Sequence, residues 1–266
     1  PLWLLHPVGG NLLFASRFVS LLPRELPVYG IQARGLEGKR APFSGIEQAA
    51  RHYLELLVSQ QPHGPYFLSG PSFGGNLAFE MARMLRQRGE EVPLVALFDA
   101  YGPHYPRRPS LLARIVNRLT RARGTSASVS AAVAQAGVPE SDDPLCIALR
   151  RVAHAHSEAL RTYRPGRYDG ALHLFRATRP PEDWPGVSFD DPTNGWASVA
   201  HGPLHVIDVE GNHRHLMDSP AVEGLAAALN GVLAGLHDAH ACEPVDDSRG
   251  PRTSGAPRSR PNARCA

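Results

Sequence analysis

The chain has 266 residues, of which 42% are apolar, so a single α/β domain with a full core accounts for its length. Its net charge of +3 comes from arginine, with Lys39 the only lysine, and no alternation of basic and aromatic residues indicates a nucleic-acid partner. No apolar run reaches the roughly 18 residues of a membrane span, and three distant cysteines indicate neither a disulfide framework nor a metal site, so we expect a soluble cytoplasmic protein without a membrane partner.

The first predicted strand, at residues 2–5, ends in a His-Pro-Val-Gly-Gly turn at residues 6–10. It begins one residue after the start of a chain that lacks an initiator methionine, which favours an excised domain. The turn presents backbone amides at the carboxyl end of a strand, where ligands bind in open α/β sheets. The N–H of Val8 is therefore a candidate oxyanion donor, and the alternative is an ordinary strand-to-helix turn.

A second strand is predicted at residues 28–31, followed by a loop rich in glycine and charge. From residue 46 to residue 60 apolar side chains recur every three or four positions, which predicts a helix that packs on a sheet.

The central motif lies in residues 66–76, where an apolar run meets a serine between glycines and then a helical pattern. Gly70, Ser72 and Gly74 have the G-x-S-x-G spacing of a nucleophile elbow, a strained turn between strand and helix that exposes the serine hydroxyl. A serine hydroxyl is a weak nucleophile, so the motif calls for a histidine base and a carboxylate that orients it. The alternative is a glycine turn that only packs a helix on a sheet.

The next predicted strand, residues 94–98, ends at Asp99. If this strand runs parallel to the strand before Ser72, both side chains lie at the same sheet edge with room for an imidazole between them. Asp99 is therefore the candidate acid, and a simple turn cap is the alternative.

Between residues 102 and 165 the alternation of strands and helices breaks. Helices are predicted at 111–119, 131–136 and 144–162. An insertion of this size above the active edge is interpreted as a lid, and the alternative is a helical subdomain that only adds stability.

Strands are predicted again at residues 171–175 and 204–209, and the last is followed by two histidines. His213 is preferred as the base because it follows the strand end closely, whereas His215 leads into the closing helix at 222–236. A metal site formed by the two histidines is disfavoured, because no carboxylate or cysteine cluster accompanies them. Residues 239–266 lack apolar periodicity and are predicted to be a disordered tail after a domain of residues 1–238.

Taken together, these segments resemble the thioesterase domains that end nonribosomal peptide synthetases and polyketide synthases, over about residues 2–238. The matching segments are His-Pro-Val-Gly-Gly at 6–10, Gly-Pro-Ser-Phe-Gly-Gly at 70–75, Leu-Phe-Asp at 97–99, Gly-Trp at 195–196 and Gly-Asn-His at 211–213. The resemblance implies an α/β-hydrolase fold, with a mostly parallel central sheet flanked by helices and a helical lid insertion. This family places its acid where Asp99 lies, whereas Asp183 is the candidate under the commoner α/β-hydrolase plan.

The resemblance also implies the chemistry. An acyl chain held as a thioester on the phosphopantetheine arm of an upstream carrier protein is transferred to Ser72, with His213 as base and the backbone amides of Val8 and Phe73 as the oxyanion hole. Water, or an amine or hydroxyl of the acyl chain itself, then releases a peptide or polyketide as an acid or a ring. The domain needs no cofactor or metal of its own. Two alternatives remain: an editing thioesterase or small-ester hydrolase of the same fold, and a non-catalytic binding module on a hydrolase scaffold.

Overall fold

A computed structural model describes residues 1–106, 141–181, 184 and 187–241 of the chain, with side chains described as far as residue 238. The described residues form one six-stranded sheet in the order β2-β1-β3-β4-β5-β6, and every neighbouring pair of strands is parallel. The strands are β1 (Leu2–Leu5), β2 (Val28–Ile31), β3 (Phe67–Pro71), β4 (Leu94–Phe98), β5 (Leu172–Arg179) and β6 (Leu204–Asn212).

Helices cover both faces of this sheet. They are α1 (Ala15–Ser20), α2 (Ile46–Gln60), α3 (Phe73–Gln87), α4 (Pro144–Thr162) and α5 (Ala221–Ala241), and a short 3₁₀ helix spans Trp196–Ser198. The predicted α/β class, with a parallel sheet between helices, is confirmed.

The central strands are buried on both faces, and their side chains alternate between two cores. Trp3 and Leu5 of β1 belong to the core under α2 and α3, whereas Leu2 and Leu4 belong to the core that includes residues of α1 and α5. This alternation follows from the two-residue period of a strand. It also explains why these strands are continuous apolar runs in the sequence.

Strands β5 and β6 are longer than their apolar runs predict. The predictions ended at residues 175 and 209, but the pairing continues through Arg176 opposite Asp208 and reaches Arg179 opposite Asn212. Arg176 donates two hydrogen bonds to the Asp208 carboxylate, at 2.8 and 3.0 Å. A cross-strand ion pair therefore replaces apolar burial over this stretch.

Helix α4 has the bounds that its periodicity predicted. Asp143 caps its first turn by accepting from the amides of Leu145 and Cys146. At its other end, the buried Tyr163 hydroxyl donates to the Glu80 carboxylate of α3 at 2.8 Å. These contacts fix α4 against the core.

The other two helices predicted for the insertion, 111–119 and 131–136, lie outside the described residues, and the lid interpretation stays a prediction.

Helix α5 continues to Ala241, five residues beyond the predicted helix end at 236, while the domain boundary at 238 stays a prediction. The continued helix includes no strong helix breaker, and its alanines favour helix. The remainder of the predicted tail, residues 242–266, lies outside the described residues. Among the described helices, none is both long and apolar enough to span a membrane.

Candidate active site

Ser72 lies at the turn between β3 and α3, with a φ of 52°, which is unusual for a residue other than glycine. A Cβ atom on Gly70 would lie 2.4 Å from the carbonyl carbon of Gly74, and one on Gly74 would lie 2.5 Å from the oxygen of Leu5. Only glycine fits at either position. The two glycines therefore let α3 begin directly against β3 and β1, which lifts Ser72 to the carboxyl edge of the sheet.

The side chains of Ser72, His213 and Asp99 form a continuous hydrogen-bonded chain at this edge. His213 Nε2 lies 3.1 Å from Ser72 Oγ, and His213 Nδ1 lies 2.8 Å from Asp99 Oδ2. A carboxylate can only accept, so in the neutral ring Nδ1–H donates to Asp99 and Nε2 accepts from the serine hydroxyl. His213 lies 141 positions after Ser72 and 114 positions after Asp99 in the chain, so the three side chains meet only because the chain folds.

The Asp99 carboxylate is buried, with four donors around it. Its Oδ1 accepts from the amide of Ala177 at 3.0 Å and from Asn194 Nδ2 at 3.1 Å. Its Oδ2 accepts from His213 and, at 3.4 Å, from the hydroxyl of Tyr101. These donors satisfy a charge that would otherwise be costly to bury, and they hold the carboxylate in one orientation.

An aromatic cluster surrounds the imidazole of His213. The ring of Tyr101 stacks on it at 4.7 Å, nearly parallel, and Trp184 lies 6.1 Å away. Phe189 contacts both aromatic rings in turn. The side chain of His213 is only 9% exposed, so these rings hold the imidazole and shield it from bulk water.

Sequence reasoning missed Tyr101, Trp184 and Asn194. Asn194 directly precedes the Gly-Trp pair at 195–196, which is the one signal that could have pointed to it. Tyr101 follows Asp99 by two residues in an irregular stretch, where no pattern distinguishes it from other surface aromatics.

A cavity of about 230 Å³ lies beside Asp99. Its walls include the aromatic rings of Tyr101, Tyr105 and Phe189 and the side chains of Arg176 and Arg179. The cavity therefore mixes aromatic and cationic side chains next to the carboxylate of Asp99.

The loop after β1, which carries Val8, meets the start of α3, which carries Phe73. Gly74 packs its Cα against the carbonyl groups of Leu5 and His6, so the first turn of α3 touches the loop after β1. The first N–H groups of a helix have no partner within it, and the helix dipole favours a negative charge there. The segments that carry both predicted oxyanion donors are therefore adjacent, and the roles of these amides stay a prediction.

Two buried histidines lie behind the loop of Val8. Burial and the neighbouring imidazole lower the pKa of His6 to about 3, and burial lowers the pKa of His156 to about 4. Both rings are therefore neutral near pH 7.

His215 lies apart from this constellation. Its ring is two-thirds exposed and contacts Asp218 at 2.9 Å, beyond the last strand. Within the described ranges, no group of three or more histidine, cysteine, aspartate or glutamate side chains could hold a metal ion. Asp183, the alternative acid, lies outside the described residues, and it is Asp99 that contacts the imidazole of His213.

The profile of one known family, the Thioesterase domain, matches residues 1–232. The chain belongs to the thioesterase domain family. Its α/β-hydrolase fold and its membership of a hydrolase family agree with the resemblance noted in the sequence.

Relatives of this thioesterase domain include two synthetases that are many times longer than it. It is 32% identical over 245 residues to malpinin synthetase and 31% identical over 231 residues to malpibaldin synthetase, both of Mortierella alpina. These alignments cover 89% and 83% of this chain but only 3% and 4% of the synthetases. The thioesterase domain thus spans a small fraction of the length of the curated relatives that it matches.

Among solved structures, the domain resembles holo-AB3403, a four-domain nonribosomal peptide synthetase bound to AMP and glycine. The TM-score is 0.69 and the sequence identity 26%, over 87% of this chain and 19% of that one. A similar fold therefore forms about one fifth of that four-domain synthetase.

Proposed function

We propose that this domain releases a peptide or polyketide chain from the phosphopantetheine arm of a carrier protein, through an acyl ester on Ser72. The observation that carries the proposal is the hydrogen-bonded chain from Ser72 Oγ through His213 to Asp99 Oδ2. A serine at a strained elbow, a base within hydrogen-bond distance and a carboxylate that orients the base are the components of nucleophilic acyl transfer.

In the acylation step, His213 Nε2 takes the proton of the Ser72 hydroxyl as Oγ bonds to the thioester carbonyl carbon. The N–H groups of Val8 and Phe73 stabilise the negative charge that develops on the carbonyl oxygen. Asp99 holds the imidazole in the required tautomer and stabilises its cation. When the tetrahedral species collapses, the carbon–sulfur bond breaks and His213 gives its proton to the leaving thiolate.

In the release step, His213 removes a proton from the second nucleophile, which attacks the ester of Ser72. If water attacks, the product is a free acid; an amine or hydroxyl of the acyl chain gives a ring instead. The second tetrahedral species collapses as the ester bond breaks, and the proton returns to the serine oxygen. The aromatic cluster of Tyr101, Trp184 and Phe189 limits water near the base, which favours an internal nucleophile.

The substrate and partner follow from the same proposal. A carrier protein presents the thioester. The proposal of a longer host protein is supported by the solved four-domain nonribosomal peptide synthetase and by malpinin synthetase, of which the alignment covers only 3%. The functional unit comprises residues 1–238 with the insertion at 102–165 as its lid, and the domain supplies no cofactor of its own.

The test compares Ser72→Ala with Ser59→Ala, which changes an exposed helix serine. We expect Ser72→Ala to abolish release of an acyl chain from its carrier or from a small-thiol thioester, and to abolish labelling by a fluorophosphonate probe. Ser59→Ala should leave both unchanged. If Ser72→Ala released acyl chains at the wild-type rate, the acyl-serine proposal would be wrong.

The alternatives give different results in the same experiment. An editing or small-ester hydrolase would release short acyl groups faster than a long native chain. A binding module would neither release acyl chains nor react with the probe. Mass spectrometry of the released product distinguishes the acid from the ring.

A further inference from the structure

Three buried rings stack behind the loop of Val8. The ring centroids of His156 and Phe73 are 4.5 Å apart, those of His6 and His156 are 4.9 Å apart, and those of His6 and Phe73 are 5.7 Å apart. All three pairs are close to parallel, with interplanar angles of 17°, 20° and 23°. His156 comes from helix α4, far along the chain, so the stack joins that helix to both segments that carry the proposed oxyanion donors.

His156 also makes a defined hydrogen bond to this loop. Its Nδ1 lies 2.8 Å from the carbonyl oxygen of Val8, and both groups are buried. A carbonyl oxygen only accepts, so Nδ1 carries the proton and donates it. The bond orients the peptide group that follows the Val8 Cα.

The peptide group before the Val8 Cα is held in a similar way. His6 Nδ1 donates to the oxygen of Pro7 at 2.8 Å, and the Tyr53 hydroxyl lies 3.0 Å from His6 Nε2, where it donates. The Pro7 carbonyl and the Val8 N–H belong to one planar peptide unit, so a bond to one fixes the direction of the other. The loop is thus held on both sides of Val8.

The packing of α4 leaves this loop little freedom. Gly10, two residues after Val8, has a φ of 82°, and a Cβ there would lie 2.7 Å from Val152 of α4 and 2.8 Å from Ala33. Tyr163 fixes the end of the same helix to Glu80. His156 therefore donates from a rigid element.

We propose that His156 is a positioning residue that keeps the Val8 and Phe73 amides directed at the developing oxyanion. Its hydrogen bond to the Val8 carbonyl anchors the loop after Val8, and its ring packs on Phe73 and on His6, whose own bond to the Pro7 carbonyl sets the direction of the Val8 N–H. This inference rests on the proposed acyl-serine function. A preorganised donor acts without reorganising when charge develops, so its alignment contributes directly to the rate. His156 contacts no reacting atom, and the low pKa of about 4 keeps its ring neutral, as a fixed donor requires.

The test uses three variants of helix α4. His156→Phe keeps an aromatic ring for the stack and removes the donor, whereas His156→Asn places an amide donor near the position of Nδ1. His154→Phe, two residues away on the exposed face, is the matched control. The kcat and KM for an acyl thioester and the affinity of a boronic acid, which forms a tetrahedral adduct with serine, are measured for each.

We expect His156→Phe to lower kcat about 10- to 100-fold, below the roughly 10²- to 10³-fold that loss of a whole oxyanion donor costs. KM should stay unchanged, and the boronic acid should bind more weakly by a similar factor. His156→Asn should restore most of both quantities, and His154→Phe should match the wild type.

A folded His156→Phe variant with wild-type kcat and boronate affinity would overturn the inference. A second result would also overturn it: the variant loses activity only because it unfolds, and its boronate affinity, measured well below the unfolding temperature, equals that of the wild type. If His156→Phe does not fold, nitrogen-15 NMR of the wild type decides, because protonation of His156 at Nε2 in place of Nδ1 contradicts the proposed bond. Full activity of Ser72→Ala would instead overturn the acyl-serine function. Failure of the His156 proposal can thus be distinguished from failure of the proposed function.

Discussion

Two sides of Ser72 use histidine in opposite ways. On the relay side, formed by His213, Asp99, Asn194 and Tyr101, an imidazole faces a carboxylate at 2.8 Å. On the amide side, formed by Val8, Phe73, His6 and His156, two imidazoles stack on each other and face carbonyl groups, a tyrosine hydroxyl and an aromatic ring.

The difference lies in what each environment does to a proton. A carboxylate stabilises an imidazolium, so a ring on the relay side can accept a proton during a reaction. Burial without a counter-charge lowers the pKa of His6 to about 3 and that of His156 to about 4, so rings on the amide side stay neutral donors. Partner and burial, rather than residue type, therefore determine whether the protonated form of an imidazole is stabilised or disfavoured.

The largest expected effect comes from removing the charge on the relay side. Asp99→Asn should lower kcat about 10⁴-fold, because the amide no longer stabilises the imidazolium or selects the tautomer that accepts from Ser72. Steady-state release of an acyl thioester measures the effect. The control is Asp183→Asn, and the acid would be misassigned if that variant were the more impaired of the two.

The buried histidines of the amide side should make the stability of the protein depend on pH. In the unfolded chain His156 binds a proton near pH 6.5, but in the folded chain only near pH 4, so protons favour the unfolded state between these values. His156 should therefore contribute fully to the free energy of unfolding above pH 6.5, by an amount on the order of 3 kcal/mol. This contribution should be lost as the pH falls towards 4. Urea unfolding at pH 7 and pH 5 measures it.

His156→Phe should reduce this pH dependence, and His154→Phe should not, because His154 is exposed. The residual dependence should come from other buried histidines such as His6 and His173, whose pKa values burial also lowers. Equal pH profiles for His156→Phe and the wild type would contradict a buried neutral His156.

A smaller effect is expected from the donor behind the relay. Asn194→Gly removes the hydrogen bond to Asp99 Oδ1 while tolerating the φ of 49° at this position, which would strain alanine. Loss of one hydrogen bond to a charged group should lower kcat about 10-fold with little change in KM. A change confined to KM would show that Asn194 shapes the substrate pocket and does not hold the carboxylate.

The smallest effect is expected at His215, which contacts Asp218 and is largely exposed. His215→Asn should leave kcat within about twofold of the wild type, as surface substitutions usually do. Abolished release with normal folding would move the base from His213 to His215.

Much of the architecture was predictable because local pattern and burial agree. Strands such as β1 and β4 are buried on both faces and have the bounds of their apolar runs, and α2 and α4 have the bounds of their helical periodicity. The ends of β5 and β6 were predicted too early because an Arg176–Asp208 pair, which no apolar pattern reports, continues the ladder.

By itself, the sequence determined the elbow at Ser72, the acid candidate after β4 and the histidine after β6, because each belongs to a local pattern of strand, glycine and turn. Only the tertiary structure decided which distant groups contact the site. Asn194 donates a hydrogen bond to Asp99, Tyr101 stacks on His213, and His156 donates to the Val8 carbonyl. These partners are set by packing between elements far apart in the chain. A hydrogen bond across such a distance leaves no periodic trace in the sequence, so the supporting residues became visible only once the chain was folded.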